Sequence, residues 1–219
     1  MRLAGRTLRC VNGYGIGYMT ANENLNFGPL ILASGSPRRA QLMQEYGYKF
    51  VVEVPSPEAE CGMCSQESPP ELVQRLALQK AADVAPRIAR GILIAADTVA
   101  HCHGQILGKP RNREHAGEML RLMSGRVHQV YTGVVVWHRP SDVRFQDVVR
   151  TDLRMDSLSD AALEAYLDSE AWEGKAGAFG YQDGLDGVHI VEGEETNVVG
   201  LPMPRLQEML KYMLGLDNP

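Results

Sequence analysis

The segment Leu30-Ile-Leu-Ala-Ser34-Gly-Ser36-Pro37-Arg38-Arg39 constrains this 219-residue chain more than any other stretch. Four apolar residues end in small hydroxyl residues, and a proline and two arginines follow. The pattern predicts a short buried strand over 30–33, Ser36 as an N-cap and Pro37 as the first helical residue. The helix would run through Ala40-Gln-Leu-Met-Gln-Glu-Tyr46 and stop at Gly47. A strand that turns directly into a helix aims unpaired N–H groups and the positive end of the helix dipole at one point. Gly35 lets a ligand come close there, and Arg38 and Arg39 add two guanidinium forks. Such a turn suits a phosphate group. A well-capped turn with solvated arginines would show the same pattern, so the stretch alone does not choose a ligand.

Composition narrows the choice. With 44% hydrophobic residues, the chain can bury the core of one sizeable domain. Its net charge of -5 argues against a general binder of nucleic acid or anionic membrane, which needs excess cations along a face. A local basic pocket remains compatible with that balance. No run approaches the roughly 18 apolar residues of a membrane span, and no signal peptide is evident, so a soluble cytoplasmic protein is expected. Four cysteines in a chain of this length do not make a disulfide scaffold.

Residues 1–28 are rich in Gly and Asn and lack sustained periodicity, which predicts a flexible extension before a single domain over 29–219. Gly13-Tyr-Gly-Ile-Gly17 lacks the flanking strand and helix of a dinucleotide fingerprint. A second strand is expected over Lys49–Pro55. Ser68-Pro-Pro-Glu71 is a capping box that launches a helix to about Val84. In that helix Leu72, Leu76 and Lys80 share the apolar face, so Lys80 either snorkels or points into a site. The run from Gly91 to Asp97 has the length and composition of a central strand and ends in a carboxylate, where ligands of open α/β sheets gather.

Further along, a hairpin is expected around His103-Gly104, an Asn112-capped helix follows, and two long strands lie near 128–137 and 143–155. A helix near 160–167, a glycine-rich loop over 173–182, a strand around Val188 and a helix ending near Leu214 complete a mixed α/β pattern. Gly104-Gln-Ile-Leu-Gly108-Lys109-Pro110 fails as a phosphate loop, because its glycines are one residue too close and Pro110 replaces the Ser or Thr. Lys109 can still meet a phosphate from a turn. Cys61-Gly-Met-Cys64 and His101-Cys-His103 lack the context of a redox or zinc site. The cations Arg38, Arg39, Lys80 and Lys109 and the carboxylates Asp97 and Glu60 stand at element boundaries or break apolar stripes. Together they suggest a basic pocket for a phosphorylated ligand, with acids available to a divalent ion.

Seven segments in order resemble the Maf family of nucleoside triphosphate pyrophosphatases. They are Leu32–Arg39, Arg75–Ala81, Ala96–Val99, Ile106–Pro110, Ser124–Gly133, Gly174–Gln182 and Val199–Pro202. The resemblance implies a mixed β-sheet with flanking helices around a deep cleft, as in Maf and ITPase-like proteins. It also implies cleavage between the α and β phosphates, giving a nucleoside monophosphate and pyrophosphate. By the same carry-over Asp97 accepts a proton from water with the help of Mg2+ or Mn2+, and Glu60, or Glu58 beside it, is the second metal carboxylate. Ser34, Ser36, Arg39, Lys80 and Lys109 would hold the triphosphate. Arg38, Thr98 and Gln182 match the branch that takes dTTP and UTP rather than the branch that takes 7-methyl-GTP. The family is also tied to arrest of cell division, and it often forms homodimers. The stretch Asp183-Gly-Leu-Asp186-Gly departs from the family's usual turn and is one residue longer.

Overall fold

The computed structural model describes residues 9–10, 27–60, 67–181 and 187–215. Eight strands form one mixed sheet in the order β1-β7-β6-β4-β2-β3, with β5 on β4 and β8 on β7. The short strands are β1 (Arg9–Cys10), β2 (Leu30–Leu32), β3 (Phe50–Val52), β5 (Gln105–Leu107) and β8 (Val188–Glu192). The long ones are β4 (Gly91–Cys102), β6 (Val127–Arg139) and β7 (Arg144–Met155). β2 lies parallel to β3 and β4, and every other pairing is antiparallel. β1 brings Arg9 and Cys10 of the N-terminal segment against Gln146 and Phe145 at the sheet edge.

The two faces of β4 are sorted by its period of two. Leu93 and Ala95 join Ile31, Ala77, Ala81 and Val135 under helix α2 (Pro69–Val84). Ile92, Ile94 and Ala96 join Leu42, Met43, Leu206 and Leu210 on the opposite face, beneath α1 (Pro37–Glu45) and α6 (Met203–Leu214). Further along that face Ala100 and Cys102 enter a separate apolar cluster under α3 (Arg113–Met123) and α4 (Asp160–Asp168). Thr98 falls between the two clusters, so the boundary between them is polar.

The local reading from sequence holds for most elements. Glu71 reaches back to the Ser68 amide at 2.9 Å to start α2, and the Asn112 side chain accepts from the His115 amide at 2.9 Å to start α3. His103 and Gly104 both adopt positive φ in the β4–β5 hairpin, as a tight two-residue turn requires. Two strands differ in extent. The second strand is trimmed to Phe50–Val52, its pairing with β2 lasting only three residues. The apolar run predicts a strand that ends at Asp97, whereas β4 continues to Cys102, because β6 pairs with it as far as His101 and β5 pairs with its last three residues.

That extension explains why a cleft forms. One edge of β4 is paired with β2 at Ile92–Ile94 and with β5 at Ala100–Cys102. Between them β2 has turned away through Ser34-Gly35-Ser36 into α1. Asp97 and Thr98 therefore stand at a break in the ladder, beyond the carboxyl end of a parallel strand, where α/β sheets bind ligands.

Candidate active site

A cleft of about 590 Å³ opens at this break. The residues expected from sequence converge on it: Ser34, Ser36, Arg38, Arg39, Lys80, Asp97, Thr98 and Lys109 all line its walls. Glu60 ends a short 3-10 turn that follows the cleft residues Val54 and Pro55. Its side chain and the whole of Gln182 lie outside the described residues, as do Cys61, Cys64 and the insertion after Gln182. Among the described lining residues, five cations (Arg38, Arg39, Lys80, Lys109 and Lys175) face two carboxylates (Asp97 and Glu173). In a chain of net charge -5, that concentration of positive charge favours a polyanion.

Lys80 does not snorkel. Its ammonium lies 2.6 Å from Asp97 Oδ1, and the two side chains are only 6% and 13% exposed. α2 lies over the same face of the sheet that Asp97 occupies, so the lysine on its apolar stripe is carried down onto the carboxylate. The charge that interrupts the apolar stripe of the helix thus lies in the cleft.

Arg39 lines the cleft and is bonded to three of its segments. Its Nε donates to the Gly200 carbonyl at 2.7 Å, Nη1 to Ser34 Oγ at 3.2 Å and Nη2 to Thr98 Oγ1 at 3.1 Å. It is buried and ties three segments of the cleft together. The chain of contacts continues from Thr98 Oγ1 to Thr132 Oγ1 at 2.9 Å, and the Thr132 hydroxyl donates to the Asn197 carbonyl at 3.2 Å. Asn197 Nδ2 in turn donates to Thr151 Oγ1 at 3.0 Å. This buried polar string fills the boundary between the two apolar clusters and fixes the cleft floor.

Ser36 caps α1 without a side-chain capping bond; its amide donates to Ser34 Oγ at 3.2 Å. Ser34 Oγ therefore accepts from both the Ser36 amide and Arg39, and its own O–H is left to donate. Arg38 reaches across the opening, where Nη2 donates to the Gly174 carbonyl at 3.3 Å. Behind the opposite wall, His128 packs edge-on against the cleft residue Phe179 at 5.3 Å between ring centres, and burial pushes its pKa down to about 4.

Sequence reasoning missed Lys175 and Asn197. The first is only 9% exposed and lines the cleft within the glycine-rich loop. A lysine in a run of small residues was the available signal. Asn197 lies on α5 (Glu195–Val199), a five-residue helix that the sequence pattern did not reveal.

A mixed α/β sheet broken over a buried Lys–Asp pair, with a cation-rich wall, makes a cleft suited to a polyanion. The chain belongs to the Maf-like protein family, whose profile matches residues 29–213. It is 60% identical over 183 residues to a dTTP/UTP pyrophosphatase of Rhodopirellula baltica, covering 83% of this chain and 81% of that one. It is 40% identical over 190 residues to a dTTP/UTP pyrophosphatase of Bacillus cereus, covering 86% and 92%. The Ham1 protein of Staphylococcus aureus superposes with a TM-score of 0.45 at 13% identity over 84% of this chain and 98% of that one, too loosely to bear on function. Among the described residues, no helix is long and apolar enough to cross a membrane.

Proposed function

We propose that this chain is a cytoplasmic nucleotide pyrophosphatase that cleaves dTTP and UTP between the α and β phosphates, releasing the monophosphate and pyrophosphate. The observation that carries the reading is the buried contact between Lys80 Nζ and Asp97 Oδ1 at the floor of the cation-lined cleft. The similarity to dTTP/UTP pyrophosphatases supports the choice of substrates.

In this reading Asp97 accepts the proton of the attacking water. Lys80 holds one carboxylate oxygen and so fixes the orientation of the other, which a general base needs before its basicity matters. The first turn of α1, with the hydroxyls of Ser34 and Ser36, receives phosphate oxygens, and the cationic wall stabilises charge that develops on the leaving pyrophosphate. Arg39 acts through the floor it braces, holding Ser34 and Thr98 in place.

The donor set bears on the metal. Among the described residues, no group of three His, Cys, Asp or Glu side chains is placed to hold an ion. Magnesium commonly takes one or two carboxylates and completes its shell with water and substrate phosphates. Asp97, with Glu60 as the expected second carboxylate, fits an ion that arrives with the nucleotide. Such an ion neutralises phosphate charge and lowers the pKa of bound water from about 15.7.

The test is pyrophosphate release from dTTP, UTP, CTP, GTP and 7-methyl-GTP with magnesium and separately with manganese, alongside Asp97→Asn. Turnover of dTTP and UTP that collapses in the variant is expected. A folded wild-type protein that releases pyrophosphate from none of them would sink the reading. Turnover confined to 7-methyl-GTP would move the chain to the other branch.

A further inference from the structure

The part of the cleft wall formed by Phe179, Gly180 and Tyr181 differs in character from its cationic lining. Phe179 and Val130 are buried members of the apolar cluster under α3 and α4, and Tyr181 and Val198 pack against that cluster. All four also line the cleft, so one edge of the cluster is presented to the ligand. Cations answer phosphate oxygens, whereas an apolar and partly aromatic surface suits the flat face of a base.

The backbone that leads into this wall has a shape it would not keep alone. Gly177 and Ala178 are both left-handed, with φ of +68° and +62°. At Ala178 that conformation crowds the Cβ against the following carbonyl oxygen, so the surroundings must hold it. They do so residue by residue. The Gly177 amide donates to the Gly108 carbonyl at 3.0 Å, and the Phe179 ring packs against His128. The buried Gly180 amide donates to the Tyr166 hydroxyl at 3.1 Å. Tyr166 comes from α4, is 6% exposed and belongs to the same apolar cluster, so it meets the wall from behind. A buried amide needs an acceptor, and a packed tyrosine ring offers one at a fixed position.

We infer that Tyr166 is a positioning residue for nucleoside recognition: its hydroxyl holds the Gly180 amide and so fixes the apolar wall against which the base lies. The inference rests on the pyrophosphatase reading for the identity of the ligand. Tyr166 acts through the wall and touches neither base nor phosphate. Its loss therefore weakens what the nucleoside contributes to binding and spares what the phosphates contribute. Gly180 also stands two residues before Gln182 in the sequence, the residue type that matches the dTTP and UTP branch.

The experiment is calorimetric titration of α,β-imido-UTP, which resists cleavage between those phosphates, and of inorganic tripolyphosphate. Each is added with magnesium to the full chain as wild type and as Tyr166→Phe. Losing one neutral hydrogen bond should weaken binding of the nucleotide analogue about fivefold, with tripolyphosphate affinity held within about twofold. Amide hydrogen exchange is the second measurement, and it tests the contact in the wild type even if the variant does not fold. The Gly180 amide should exchange slowly in the wild type and about tenfold faster in Tyr166→Phe, while β4 and β6 keep their rates. Unchanged affinity for the analogue overturns the inference. So does an equal loss for both ligands, which marks a distorted cleft, and so does wild-type exchange at Gly180 as fast as in an open loop. A protein that shows the Tyr166-dependent affinity for the analogue but hydrolyses no nucleotide keeps the positioning role and removes the hydrolase reading.

Discussion

Gly133 stands opposite Asp97 in the β4–β6 ladder and directly beneath the backbone of Val73 on α2. A Cβ at Gly133 would run into the Val73 carbonyl and lie 2.8 Å from the Gln74 amide nitrogen. Backbone cannot swing aside as a side-chain tip can. The absent side chain is what lets α2 settle onto the sheet at the level of the carboxylate, with Lys80 two turns further along the same helix.

Gly133→Ala should therefore lift α2, costing about 1–3 kcal/mol of stability as an overpacked contact does. Activity should fall by more than the unfolded fraction explains, since Lys80 rides on the displaced helix. Urea denaturation and pyrophosphate release on the same preparation separate the two effects. Wild-type stability in the alanine variant would contradict the close approach.

Removing one partner of the buried pair should hurt more than removing both. Lys80→Met leaves the Asp97 carboxylate in the cleft floor without its ammonium, a loss of about 3 kcal/mol. Adding Asp97→Asn removes the uncompensated charge and should restore part of that stability while activity stays absent. A double variant that is simply the sum of the singles in denaturation would mean that the two groups do not interact.

Arg39→Lys should behave as a structural lesion despite keeping the charge. A single ammonium cannot reach the Gly200 carbonyl, Ser34 and Thr98 together as the guanidinium does. The expected cost is about 2 kcal/mol, with a matching fall in melting temperature. Full stability with lost activity would instead make Arg39 a direct substrate ligand.

His128 predicts an acid-sensitive fold. Its pKa drops from 6.5 to about 4 on folding because the ring is buried against Phe179. The unfolded chain takes up the proton first, so the stability that the neutral ring provides is complete above about pH 6.5. It is lost as pH falls toward 4, on the order of 3 kcal/mol in all. His128→Leu should flatten the stability profile in that window relative to wild type. Parallel profiles for the two proteins would rule the histidine out.

Much of this was legible in the sequence, for reasons that differ by residue. The capping residues of α2 and α3 act within one turn, so Ser68 with Glu71 and Asn112 declared their helices locally. Lys80 could be singled out because a charge interrupted an apolar stripe, although only the sheet beneath it shows which alternative applies. The continuity of β4 was not legible: the sequence marks a strand to Asp97 and a hairpin at His103-Gly104, and it is pairing with β6 and β5 that joins them through Thr98–Cys102. The helix that bears Asn197 is too short to show a period, and bonds from β6 and β7 hold its asparagine. The bracing role of Arg39 depends on Gly200, 161 residues away.

The break in the β4 edge has a mechanical consequence. β4, β6 and β7 pair without interruption beneath the gap, so the two walls of the cleft rise from one continuous floor. Changing the loops that overhang the gap is then the least disruptive way to fit a larger or smaller base. Those loops can change in length or sequence without moving the carboxylate below, which separates the tuning of selectivity from the chemistry it serves.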